Sequence, residues 1–118
     1  MQPKAPKWLD DIRRSGEFIL EATGGRSGAD YQSDALLRAA VERHFEIIGE
    51  AMGRLARGDP KTAELIADHK RIVAFRNLLI HGYDVVDHAE VWNIVTRHLP
   101  RLLERVRSLL AEVPPEDA

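Results

Sequence analysis

Leu36-Leu37-Arg38-Ala39-Ala40-Val41-Glu42-Arg43-His44-Phe45-Glu46-Ile47-Ile48-Gly49-Glu50-Ala51-Met52-Gly53-Arg54-Leu55 is the stretch that decides the fold. Its apolar residues Leu36, Leu37, Ala40, Val41, Phe45, Ile47, Ile48, Met52 and Leu55 recur at three- and four-residue steps, the spacing of a helix with one buried face. Ser33 stands ahead of it as an N-cap, and the pattern runs to about Arg57. A second pattern shares this helix: Arg38, Glu42, Glu46, Glu50 and Arg54, each four residues from the next. End-to-end ion pairs along such a row are worth roughly a few tenths of a kcal/mol each, but three consecutive acids at that spacing repel. A cation from elsewhere lying against Glu46 or Glu50 would relieve them, and Arg76 is the candidate. A solvated charged face is the plainer reading.

Upstream, Pro6 suits a first helical turn, and Trp8, Leu9, Ile12, Ile19 and Leu20 mark a helix from about Lys7. Gly24 to Gly28 form a flexible connector without the Gly-Lys-Ser/Thr signature of a phosphate loop. Downstream, Gly58-Asp59-Pro60 ends the long helix and caps a short one reaching about Ala67. Arg71–His81 is the next helix, with Gly82 where a left-handed C-cap is expected. Asp87 and Glu90 match a capping box for a last helix carrying Val91, Trp92, Ile94, Val95, Leu99, Leu102, Leu103, Val106, Leu109 and Leu110; Pro100 should kink or split it. No strand signal and no repeat appears. The expectation is an all-α, antiparallel four-helix bundle with one short extra helix. It forms a single domain over residues 1–118, ordered from about 7 to 112, with a disordered tail over 113–118.

The 118 residues suffice to bury roughly two thirds of the unfolded surface. A formal charge of −2 excludes a globally basic nucleic-acid binder while leaving room for a local basic patch. With no cysteine there is no disulfide framework, thiolate metal site or thiol nucleophile. No run approaches the roughly 18 apolar residues of a membrane span, and the N-terminus lacks a signal-peptide core, so a cytoplasmic protein is expected.

Chemistry concentrates in Arg76-Asn77-Leu78-Leu79-Ile80-His81-Gly82-Tyr83. A histidine exchanges protons near neutrality, and an arginine presents a planar donor fork to phosphate oxygens. Together they suffice to cleave RNA without a metal or cofactor. A base removes the 2′-OH proton, the arginine stabilises the phosphorane, and an acid protonates the leaving 5′ oxygen. Five residues on a helix set the two side chains roughly 140° apart, and one chain offers one such histidine where an acid and a base are both wanted. A two-fold homodimer apposing two copies answers both difficulties. The bland reading is a histidine bonding the last carbonyls of its helix.

Arg76-Asn77-x-x-x-His81-Gly82-Tyr83 resembles the Arg-(four to six residues)-His signature of the HEPN superfamily, in the fuller form of its HepT-like branch. Phe45-Glu46-Ile47-Ile48-Gly49-Glu50-Ala51 resembles the second-helix signature of that branch. Val91-Trp92-Asn93-Ile94-Val95 through Leu99-Pro100-x-Leu102 resembles its last helix. The likeness covers about residues 8–112. It implies a HEPN-like helical dimer with facing motifs, acting as a metal-independent ribonuclease toxin in a type VII-like toxin–antitoxin pair. It implies as partner an MntA-type nucleotidyltransferase that silences the nuclease by transferring AMP onto a tyrosine. On this resemblance Arg76 and His81 are catalytic, Asn77 supports the phosphate site and Tyr83 is the AMPylation target. A bulky anion there would occupy the site and repel RNA.

Arg97, Arg101 and Arg105, four apart, form a basic stripe that could track an RNA backbone; Arg13, Arg14 and Arg26 could extend it. A solvated face is the equal alternative. His81, Asp84, Asp87 and His88 fit no standard metal spacing, so no metal site is assigned. The competing function is a non-catalytic, dimeric helical module that partners a minimal nucleotidyltransferase.

Overall fold

A computed structural model describes residues 1–114, and every described element is helix, turn or coil. Helix α1 (Ala5–Thr23) starts two residues earlier than the apolar pattern suggests, with Pro6 in its first turn. It buries Leu9, Ile12, Gly16 and Ile19 on one stripe. The connector after it is shorter than its glycines imply. Gly24 to Ser27 turn the chain, with Gly25 at φ +75°, where a side chain would be strained.

A helix the periodicity does not announce, α2 (Gly28–Ser33), follows at once. Its sequence signal is the capping box of Ser27 and Asp30. The Ser27 hydroxyl accepts from Asp30 N–H (3.1 Å) and the Asp30 carboxylate accepts from Ser27 N–H (2.9 Å). The helix exists to place Tyr31, wholly buried and stacked on Trp92 at 5.4 Å. Asp34, rather than Ser33, therefore caps the long helix α3 (Ala35–Gly58), accepting from Leu37 N–H at 3.0 Å.

At 24 residues α3 is about 36 Å long and runs through the middle of the bundle, packed by α1 on one side and α5 on another. Its buried stripe is Leu37, Val41, Phe45, Ile48, Met52 and Leu55. Leu36, expected in the core, is 86% exposed, because it lies about 100° around the helix from Leu37. Asp59 caps the four-residue α4 (Pro60–Ala63). The bundle thus carries two short extra helices where one was expected.

Helix α5 (His69–His81) begins after Asp68 at φ +63° and leans on α3, with only Leu79 fully buried. Helix α6 (His88–Asn93), a π-turn at Ile94–His98 and α7 (Leu99–Ala111) form one rod. Asp87 caps it, accepting from Ala89 and Glu90 N–H. Leu99 N–H reaches back five residues to Ile94 O. This wider turn sits where Pro100 withholds an N–H, so the expected break becomes a local widening. Val95, Leu99, Leu103, Val106 and Leu109 close the core against α1. Among the described residues no helix is long and apolar enough to cross a membrane. Residues 115–118 of the expected disordered tail lie outside the described residues.

Candidate active site

The site begins with a glycine. At Gly49, α3 and α5 approach so closely that a Cβ there would lie 2.1 Å from Arg76 Cβ and 2.7 Å from Arg76 Cγ. The Arg76 side chain therefore leaves α5 flat against α3, one residue from Glu50. Its Nη2 donates to Glu50 Oε2 (2.9 Å) and its Nη1 donates to Asn77 Oδ1 (3.0 Å). Glu50 uses its other oxygen on Arg54, at 3.2 Å. Of the two acids open to Arg76 from sequence, Glu50 is the partner; Glu46 lies one turn earlier. The charged row is not continuous, since Arg38 turns back to Gln32 O and only the Glu50–Arg54 step pairs along the helix.

A cavity of about 310 Å³ opens beside the guanidinium, and Arg43, Glu46, Glu50 and Arg54 share its wall with Arg76 and Ile80. His81 is not part of that wall. It is exposed at the last residue of α5. The chain thus presents Arg76 at a cavity and an exposed His81 at the end of the same helix.

Gly82 does not adopt the expected left-handed cap. Its φ is −122° and its N–H bonds Leu78 O at 2.8 Å, because the chain enters a 3₁₀ turn (Tyr83–Val85) directly. A Cβ here would meet Leu78 Cδ1 at 2.9 Å, the movable tip of a half-exposed side chain, and Leu78 O at 3.3 Å. Tyr83, 75% exposed, stands on this turn with Val85 at 68%, and Leu78 in the last turn of α5 is 41% exposed. Three apolar or amphipathic side chains left in water around one helix end form a patch that sequence periodicity did not reveal.

The basic stripe divides. Arg97, Arg101 and Arg105 are all exposed, but only Arg101 and Arg105 join Arg71 on the rim of a separate apolar groove of about 580 Å³ between the start of α5 and α7. Arg105 Nε also donates to Leu65 O (2.8 Å). Of the suggested extension, Arg13 is taken up by Asp10 and Glu17 and Arg26 by Asp34, while Arg14 is exposed. No group of three or more His, Cys, Asp or Glu side chains among the described residues is arranged to hold a metal.

An arginine held at a cavity and an exposed histidine five residues on along the same helix, with Asn77 bonded to the arginine, form a constellation suited to phosphodiester chemistry. The sequence model of the family described as "Ribonuclease HepT-like" matches residues 12–109, a span that contains every residue of this constellation. The chain belongs to the HepT-like ribonuclease family. Relatives agree along almost the whole length. A protein of Caldanaerobacter subterraneus whose name proposes an RNase is 32% identical over 108 residues, covering 91% of this chain and 96% of the relative. One from Methanocaldococcus jannaschii, similarly named, is 32% identical over 99 residues, 84% of this chain and 90% of its own. A Thermococcus cleftensis protein whose name proposes a ribonuclease HepT is 31% identical over 102 residues, 86% and 92% respectively. No solved structure matches the chain. As a HepT-like ribonuclease, the chain has RNA as its substrate class, and the fold is that of a helical HEPN-like bundle.

Proposed function

We propose that this HepT-like chain is a metal-independent endoribonuclease whose working site is assembled by two copies, and that it is the toxin of a toxin–antitoxin pair. The observation that carries this reading is the split arrangement on α5: Arg76 is fixed at a cavity by Glu50 and Asn77, while His81 is exposed at the end of the same helix. Two copies apposed through the Leu78, Tyr83 and Val85 patch would bring two arginines and two histidines to one cleft. One neutral His81 takes the 2′-OH proton as O2′ bonds to phosphorus. Arg76 stabilises the phosphorane. The second copy's protonated His81 gives its proton to O5′ as the P–O5′ bond breaks, leaving a 2′,3′-cyclic phosphate and a 5′-hydroxyl. RNA carries its own nucleophile, so the mechanism needs no metal. Arg101 and Arg105, with Arg97, would steer the RNA backbone electrostatically.

Tyr83 is the proposed target of AMP transfer by an MntA-type nucleotidyltransferase. Its exposure lets a second enzyme reach the hydroxyl, and it lies two residues from His81. The tyrosine oxygen attacks the α-phosphorus of ATP, pyrophosphate leaves, and the attached anion competes with RNA for Arg76.

RNA incubated with EDTA and the purified protein should be cut, and His81→Ala should not cut it. Equal, negligible cleavage by both would leave the non-catalytic module as the better account. Sedimentation should give a dimer at micromolar concentration. Co-expression with the nucleotidyltransferase should add one or more AMP masses, and Tyr83→Phe should remove them; an increment surviving in Tyr83→Phe moves the target elsewhere.

A further inference from the structure

We propose that Glu50 is the positioning residue for Arg76: it sets the plane of the guanidinium that receives the scissile phosphate. This rests on the ribonuclease reading and assigns a role within that site. The pair is too wet to matter for folding. Arg76 is 30% and Glu50 44% exposed, and partly exposed ion pairs contribute roughly 0–1 kcal/mol. Its contribution is therefore to be sought in geometry.

Three restraints converge on this one side chain. Gly49 lets the Arg76 stem lie against α3, Glu50 Oε2 holds Nη2, and Asn77 Oδ1 holds Nη1. The Nε is buried without a partner, so its hydrogen is closed to a ligand in this arrangement. Beyond these two bonds each terminal nitrogen keeps one further hydrogen that a phosphate oxygen can accept. Glu50 is itself steadied, because Arg54 holds its second oxygen at 3.2 Å. Removing the carboxylate leaves Arg76 tethered only by its neighbour in sequence, free to sample rotamers that point the fork elsewhere.

The carboxylate also has an electrostatic cost for the substrate. It is an anion beside the place where a phosphate must bind, so its loss should help RNA bind while it hurts the chemical step. Misplacing a catalytic group by about 1 Å costs on the order of 10²-fold in rate. Glu50→Gln should therefore lower kcat by roughly ten- to a hundredfold with KM unchanged or reduced and the melting temperature held. A role confined to packing would move the melting temperature instead.

The test pairs this kinetic split with chemical rescue. Arg76→Ala should recover part of its activity when guanidinium ion is added at non-denaturing concentration, since Glu50 still offers a seat for the cation. In the double variant Arg76→Ala/Glu50→Gln that recovery should vanish. Wild-type kcat in Glu50→Gln, or equal rescue of the single and double variants, overturns the proposal. An Arg76→Ala protein as active as wild type would instead overturn the placement of Arg76 in the reaction, and the two failures are separable in one set of assays.

Discussion

Gly49 and Gly53 stand one turn apart on α3, and the structure predicts opposite consequences for adding one methyl group to each. At Gly49 the new Cβ would sit 2.1 Å from Arg76 Cβ, 2.7 Å from Arg76 Cγ and 3.4 Å from Ile72 O. Carbon atoms settle at about 3.5–4.0 Å, so α3 and α5 must separate by roughly 1.5 Å at this point. The neighbour cannot yield by rotating, because a Cβ is fixed to its backbone. Overpacking of this kind costs about 1–3 kcal/mol, against a gain of roughly 1 kcal/mol from replacing glycine by alanine inside a helix. Gly49→Ala should therefore lose up to about 2 kcal/mol, and the lift of α5 carries Arg76 away from Glu50. At about 10² in rate per ångström of misplacement, cleavage should fall far more than stability. At Gly53 the nearest atoms are Arg57 Nη1 at 3.3 Å, the movable tip of a long side chain, and Val73 Cγ2 at 4.0 Å. Gly53→Ala should thus gain up to about 1 kcal/mol and keep its activity. Urea unfolding and RNA cleavage measured on both variants decide the matter. If Gly49→Ala is as stable and active as Gly53→Ala, the close approach does not hold the site and the reasoning fails.

Two further outcomes follow from the fold. Burial alone would raise the Asp59 carboxyl, but hydrogen bonds from the Thr62 hydroxyl, Gln2 N–H and Thr62 N–H, with the N-terminal charge, pull it below its ordinary value. A lowered folded-state pKa adds stability above the unfolded value of about 4 and loses it as pH falls through the folded one. Asp59→Ala should lose about 1–2 kcal/mol at pH 7 and show a flatter fall in acid-unfolding midpoints below pH 4 than wild type. Leu103, wholly buried and pressed on Gly16, should cost about 2–5 kcal/mol as Leu103→Ala, whereas Leu36→Ala, at an 86% exposed position, should stay within about 0.5 kcal/mol by thermal melting.

The long helices were legible because burial writes a period into the chain. The stripe from Leu37 to Leu55 and the Asp59–Pro60 start of α4 carry their own signals. Helix α2 was not, since six residues cannot display a period; its only trace was Ser27 with Asp30 three residues on. The Arg76-to-His81 motif was readable as residue types. Which acid Arg76 meets was not readable. Glu46 and Glu50 lie only about 40° apart on a helical wheel, and the choice depends on where Gly49 lets α5 settle. The same limit applies to Arg97, Arg101 and Arg105. Their regular spacing puts them on one side of a helix, but only the position of α5 decides that Arg101 and Arg105 border a groove and Arg97 does not.

The π-turn at Ile94–His98 bears on how the last helix counts its residues. Val91, Val95, Leu99 and Leu103 are all buried, yet a strict four-residue step advances about 40° too far on each turn of an α-helix. Three such steps would rotate Leu103 about a third of the way round, off the core. A turn that spends five residues where four would do takes up that excess, so Val91, Val95, Leu99 and Leu103 stay on one side of the rod. In reading-frame terms the helix holds one residue beyond what its length in space requires. Deleting the exposed Thr96 should convert the rod to plain α-helix with α7 still in phase, and a melting temperature near that of the full chain would show it, whereas deleting a residue from the middle of α3 should abolish folding.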